Sequence, residues 1–144
     1  MKLVMLDTNV VIDIFYQRKA SIEKLKEFID YHFAISHLVY MEFMAGTQVR
    51  QKADARKFLS EFIVKPYDEP AQKMSEKFAS KYFTGRENKP MDLLIAAHAK
   101  SLNLPIINQQ FKGFYIQGGQ GFSLQKSIVV SNLRFNKSSI LIHI

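Results

Sequence analysis

The stretch Lys2-Leu3-Val4-Met5-Leu6-Asp7-Thr8-Asn9 decides how the chain is read. Five apolar-rich residues form a first strand, and a carboxylate stands at its tip. In open α/β sheets, ligands and catalytic groups collect outside the carboxyl ends of the strands, where loops aim side chains into a crevice held by a rigid sheet. Asp7 has two readings on this segment alone: a member of such a site, or the N-cap of the helix that follows, a position Asp favours. Partners elsewhere in the chain must decide between them.

Outward from this tip, Val10 to Tyr16 reads as a short apolar helix. Ser21 reads as the N-cap of the next helix, with Ile22, Leu25 and Ile29 on one face by their i, i+3, i+7 spacing. Phe33-Ala34-Ile35 is a second strand, and Ser36 caps a helix that carries Val39, Tyr40, Phe43 and Met44 inward and ends near Gly46. Residues 51–62 form another helix, with Ala55, Phe58, Leu59 and Phe62 on one side. Ile63-Val64 is a third strand closed by Pro66, which has no amide hydrogen to donate to a sheet. Ala71, Met74, Phe78 and Tyr82 recur at three and four residues and mark a further helix. A breaker segment runs from Thr84 to Pro90, a helix from Asp92 to Leu102, and Leu104-Pro105-Ile106-Ile107 is a fourth strand.

Alternating strands and helices of these lengths imply an α/β fold with a mostly parallel, helix-covered sheet. Gly118-Gly119-Gln120-Gly121 marks a loop, and Ile128-Val129-Val130 and Ile140-Leu141-Ile142 are possible strands. Repeats and interdomain linkers are not apparent.

The 144 residues are enough for one domain with its own core. There is no cysteine, which excludes disulfides, thiolate zinc sites and a cysteine nucleophile. The first residues lack a signal peptide's basic-then-apolar layout, and no apolar run approaches the roughly 18 residues of a membrane span, so a cytoplasmic protein is expected. The net charge of +7 favours a polyanionic partner. All thirteen acids lie at or before Asp92, while the last 52 residues hold five Lys/Arg and no carboxylate side chain. An acidic site must therefore come from the first two-thirds of the chain.

Two further acids stand out by placement. Glu42 interrupts the apolar helix Val39-Tyr40-Met41-Glu42-Phe43-Met44, where a charge is either exposed at an edge, paired, or used. Asp92 opens Asp92-Leu93-Leu94-Ile95-Ala96-Ala97-His98-Ala99, a helix apolar enough to be largely buried. A first-turn Asp is stabilised there by the helix dipole alone. His32, His37, His98 and His143 show no metal spacing with one another, and His98 reads as a core histidine. Serine-hydrolase and phosphate-loop motifs are absent. An aspartate-nucleophile phosphatase would want a second Asp where Asn9 stands.

Taken in order, the Asp7-Thr8-Asn9 tip, Glu42 between Ser36 and Gly46, and Pro90-Met91-Asp92-Leu93-Leu94-Ile95-Ala96-Ala97-His98-Ala99 leading into Leu104-Pro105-Ile106-Ile107 resemble the PIN-domain family, in particular its small VapC-type toxin ribonucleases. The resemblance covers about residues 2–114. It implies a Rossmann-like sheet and a catalytic domain over 1–114, with 115–144 a tail of unassigned role that could add strands to it. It also implies a divalent-metal site of Asp7, Glu42 and Asp92, with Asp7 and Asp92 as direct ligands. Glu42 would bind the metal or orient the attacking water. Asn9 and Ser36 would hold these carboxylates by hydrogen bonds, and Thr8 would support the turn. Mg²⁺ is the expected ion, with Mn²⁺ as a substitute.

The family segment Thr-x-Asn-x-x-Asp-Phe corresponds here to Asn108-Gln109-Gln110-Phe111-Lys112-Gly113-Phe114, with Gly113 at the Asp position. Asn108 and Gln110 remain as neutral oxygen donors, and one-metal chemistry, a metal completed by substrate, and reduced activity all stay open. The implied function is an endoribonuclease toxin with an RNA substrate, a cognate antitoxin and a homodimeric state. Apolar residues of the Tyr40 to Met44 helix suit either protein contact, and Arg86, Lys89 and Lys112 suit RNA phosphates. The alternative is a degenerate PIN domain that binds RNA or a protein without cutting.

Overall fold

A computed structural model describes residues 1–82 and 90–108. It contains strands β1 (Lys2–Leu6), β2 (Tyr31–Ser36), β3 (Ile63–Lys65) and β4 (Ile106–Ile107). The helices are α1 (Thr8–Phe15), α2 (Lys19–Leu25), α3 (His37–Gly46), α4 (Lys52–Leu59), α5 (Glu69–Tyr82) and α6 (Pro90–Ser101). The four strands form one sheet in the order β3-β2-β1-β4, and every pairing is parallel. This is the α/β, parallel, helix-flanked sheet that the alternation of elements implies.

The central strand shows why the fold takes this form. Val4, Met5 and Leu6 are all fully buried, as expected for a parallel strand covered on both faces. Leu6 is in register with Ile35 on one side and Ile107 on the other. Asp7, Ser36 and Asn108, each the next residue, therefore emerge along one edge of the sheet. The Asp7 amide donates to the Ile107 carbonyl at 3.0 Å, extending this pairing to the strand tip. Pro105 fits because only its carbonyl is needed, accepting from the Met5 amide at 2.8 Å.

Between strands, α1 packs on α2 and α3. Phe15, Phe43 and Phe58 meet with ring centroids 5.2–5.9 Å apart, joining α1, α3 and α4 in one aromatic cluster. Tilted and edge-on contacts of this kind add to the burial of the rings themselves.

The second helix departs from its expected start and end. Its N-cap is Arg18, not Ser21, and Ser21 lies inside the first turn. The physical reason is Asp13, a buried acid of α1: Arg18 Nη1 donates to its Oδ1 at 2.6 Å, and the Ser21 hydroxyl donates to its Oδ2. A buried carboxylate needs such partners, so it draws in the serine that otherwise could cap. The helix ends at Leu25, and Lys26–Phe28 form a 3-10 turn, leaving Ile29 beyond it. Elsewhere α4 begins at Lys52 after a 3-10 turn at Val49–Gln51. The last helix begins two residues earlier than Asp92, at Pro90, a residue suited to a first turn because its missing N–H would have no helical partner. The glycine loop and the strands expected at 128–130 and 140–142 lie outside the described residues, as do the domain boundary at 114 and the tail.

Candidate active site

Asp7 lies at the centre of the sheet edge and is 2% exposed. It occupies the N-cap position of α1, but its side chain makes no capping hydrogen bond. Its backbone carbonyl accepts from the Val10 and Val11 amides, both at 3.1 Å. The turn is thus closed by backbone, and capping by the carboxylate is not what keeps an acid here. The carboxylate sits where the positive end of the α1 dipole favours negative charge.

The next residue links two distant segments. Thr8, 7% exposed in the first turn of α1, donates its hydroxyl to Oε2 of Glu42 on α3. Glu42 lies on an exposed part of that helix, yet its carboxylate is tied back to the β1–α1 turn. The hydroxyl therefore does more than support the turn: it reaches an acid 34 residues away. No local signal carries that contact, because Thr8 and Glu42 belong to separate βα units.

Ser36 fulfils its expected capping role, with Oγ accepting from the Leu38 amide at 3.1 Å. It is fully buried and also contacts Nδ1 of His98 at 2.8 Å. His98 is a core residue, as its apolar helix implies, with Tyr67 edge-on at 5.4 Å. Burial pushes its pKa below the ordinary 6.5, opposed by the charge of Asp68 and by the nearby Pro66 carbonyl. That carbonyl does not complete a hydrogen bond, for Nε2 has no such partner among the described residues. Burial thus favours the neutral imidazole, with Ser36 on its Nδ1 side.

Asp92 lies half-buried in the first turn of α6, the helix that His98 fastens to the β2–α3 junction. Asn9 is half-buried in the first turn of α1, and Asn108 is half-buried directly after β4, level with Asp7. Gln110, Arg86, Lys89 and Lys112 lie outside the described residues. Among the described residues, no three His, Asp or Glu side chains are gathered closely enough to form a metal cluster. The Thr8 hydroxyl ties Glu42 to the turn that carries Asp7. The donors are nonetheless of one chemical kind: Asp7, Glu42 and Asp92 offer hard carboxylate oxygens and Asn108 a neutral carbonyl, the ligand types that Mg²⁺ takes. The donor chemistry fits such an ion.

Residues 4–110 match the PIN domain family. Among solved structures, the chain is similar to one from a toxin–antitoxin complex of Klebsiella pneumoniae, with 28% identity, a TM-score of 0.65, and coverage of 77% of this chain and 89% of that one. DNA-bound VapBC from Salmonella typhimurium gives 27% identity, a TM-score of 0.61, and coverage of 74% and 85%. VapBC2 from Rickettsia felis, bound to a DNA fragment from its promoter, shares the fold with 22% identity, a TM-score of 0.63, and coverage of 74% and 86%. No curated protein sequence matches the chain. With a family match across most of its length and a parallel sheet that delivers Asp7 to its edge, the chain belongs to the PIN domain family.

Proposed function

We propose that this PIN domain is the toxin of a toxin–antitoxin pair and a Mg²⁺-dependent endoribonuclease. The observation that carries the reading is Asp7, an acid buried at the tip of the central strand whose side chain makes no capping hydrogen bond to the helix it precedes. The similarity to chains of the Klebsiella and Salmonella toxin–antitoxin assemblies supports the biological role.

In this reading Asp7 and Asp92 hold the ion, Glu42 either joins them or orients the attacking water, and Asn108 offers a neutral oxygen. When bound, Mg²⁺ polarises the scissile phosphate and lowers the pKa of water. Thr8 keeps the Glu42 carboxylate at the turn. Ser36 sets the start of α3 and, through His98, its relation to α6, while Asn9 would steady the carboxylates from α1. Water attacks phosphorus in line with the departing 3′-oxygen, leaving a 5′-phosphate and a 3′-hydroxyl.

The net charge of +7 suits an RNA substrate. Tyr16 and Met41 are large, exposed apolar side chains that suit an antitoxin or a second copy in a homodimer. No helix among the described residues is long and apolar enough to cross a membrane, in keeping with a cytoplasmic site of action. One observation favours a second reading, a PIN domain that binds without cutting: Gly113 stands where the family's segment carries an acid.

Expression in cells separates the two. The wild-type chain should arrest growth and leave RNA fragments with 5′-phosphate ends, co-expression of the short gene expected beside it should relieve the arrest, and Asp92→Asn should be harmless. Equal arrest by wild type and Asp92→Asn would count against catalysis.

A further inference from the structure

Thr8 is a buried hydroxyl next to a buried acid, and its partner is neither its own helix nor that neighbour. It donates across the β1–α1 and β2–α3 units to Oε2 of Glu42. We infer that Thr8 is the positioning residue of the site: it holds the Glu42 carboxylate at the turn that carries Asp7, and so sets the affinity for the divalent ion. The inference rests on the metal-site reading above and assigns to Thr8 a role beyond the turn.

Three physical features make the arrangement directional. The threonine is 7% exposed, so its hydroxyl is largely removed from water and its donor is worth most when spent on a charged acceptor. Its β-branched side chain is stiff about χ1, which fixes where the proton points. Glu42, in contrast, lies on an exposed part of α3 and has three rotatable bonds, so without an anchor it would sample many orientations in solvent. The hydrogen bond occupies Oε2 and leaves Oε1 as the oxygen for an ion or a water. A neutral donor of this type also leaves the charge of the carboxylate intact, which a lysine or arginine in the same place would neutralise.

Two measurements on the full chain test this, neither of them turnover. Binding of Mn²⁺, followed by electron paramagnetic resonance, should be weakened about tenfold in Thr8→Val, the scale on which loss of a ligand-orienting partner acts. Thr8→Ser, which restores the donor, should recover most of that loss. A urea-denaturation cycle of Thr8→Val, Glu42→Gln and the double variant, run without metal, should show non-additive midpoints, because the two side chains share one interaction. Wild-type Mn²⁺ affinity in Thr8→Val, or additive midpoints, would overturn the inference while leaving the metal site standing, provided Asp7→Asn abolishes binding. If wild type itself bound no Mn²⁺, the metal-site reading would fall, and the role of Thr8 with it.

Discussion

The side chains of Ser36 and His98 meet in the core, with Oγ and Nδ1 2.8 Å apart although 62 residues separate them in sequence. This contact fastens α6, the helix of Asp92, to the junction from which α3 carries Glu42. A neutral imidazole is what the buried location sustains.

That neutrality makes stability depend on pH. Burial lowers the folded-state pKa of His98 below the 6.5 of an unfolded chain. Above pH 6.5 both states are neutral and the contribution is complete. As pH falls through 6.5, the unfolded chain takes up the proton first, and stability declines until the folded-state pKa is reached. The melting temperature of wild type should therefore fall between pH 7.5 and 5.5 more steeply than that of His98→Gln. Parallel profiles would show that His98 is not the group responsible.

Removing the serine should be felt at two places. Ser36→Ala deletes the cap on the Leu38 amide and the partner of His98 Nδ1, which together should cost about 1–3 kcal/mol in urea denaturation. Ser36→Thr, which keeps the hydroxyl, should cost less. An alanine variant as stable as wild type would mean that the contact contributes nothing net.

The Asp13 pairing should be asymmetric. The Asp13 side chain is 2% exposed, while that of Arg18 is 60% exposed. Asp13→Ala removes the buried charge together with its need for a partner and returns the mostly solvated Arg18 to water. Arg18→Ala leaves the buried carboxylate without its guanidinium and should cost more than Asp13→Ala, about 1–3 kcal/mol. Thermal unfolding of the two variants checks the order, and the reverse order would contradict it.

Phe43 supports the helix that bears Glu42, in contact with the rings of both Phe15 and Phe58. Phe43→Ala should destabilise the fold by about 3–5 kcal/mol, measured by urea denaturation. A loss under 1 kcal/mol would place the support for α3 elsewhere.

What the sequence reveals follows the range of the forces involved. The apolar run ending at Leu6, the Ser36 cap and the three-and-four spacing of Ala71, Met74 and Phe78 are local, and each corresponds to an element in the fold. Ser21 shows the limit of local rules: its capping chemistry was available, but buried Asp13 claimed the hydroxyl. The Thr8–Glu42 and Ser36–His98 contacts join residues 34 and 62 positions apart, and only the packing of βα units creates them. For the same reason the acids Asp7, Glu42 and Asp92 were legible as candidates through a resemblance in order and context, whereas the hydroxyl that anchors one of them was not.

Whether Asp7 holds a divalent ion for RNA hydrolysis is tested by comparing two proteins. Purified wild type and Asp7→Asn, matched for folding, are incubated with RNA in Mg²⁺, with and without chelator. Wild type should cleave in Mg²⁺ alone, and neither chelated wild type nor Asp7→Asn should rise above background. Cleavage that survives both the chelator and the loss of the Asp7 carboxylate would contradict it.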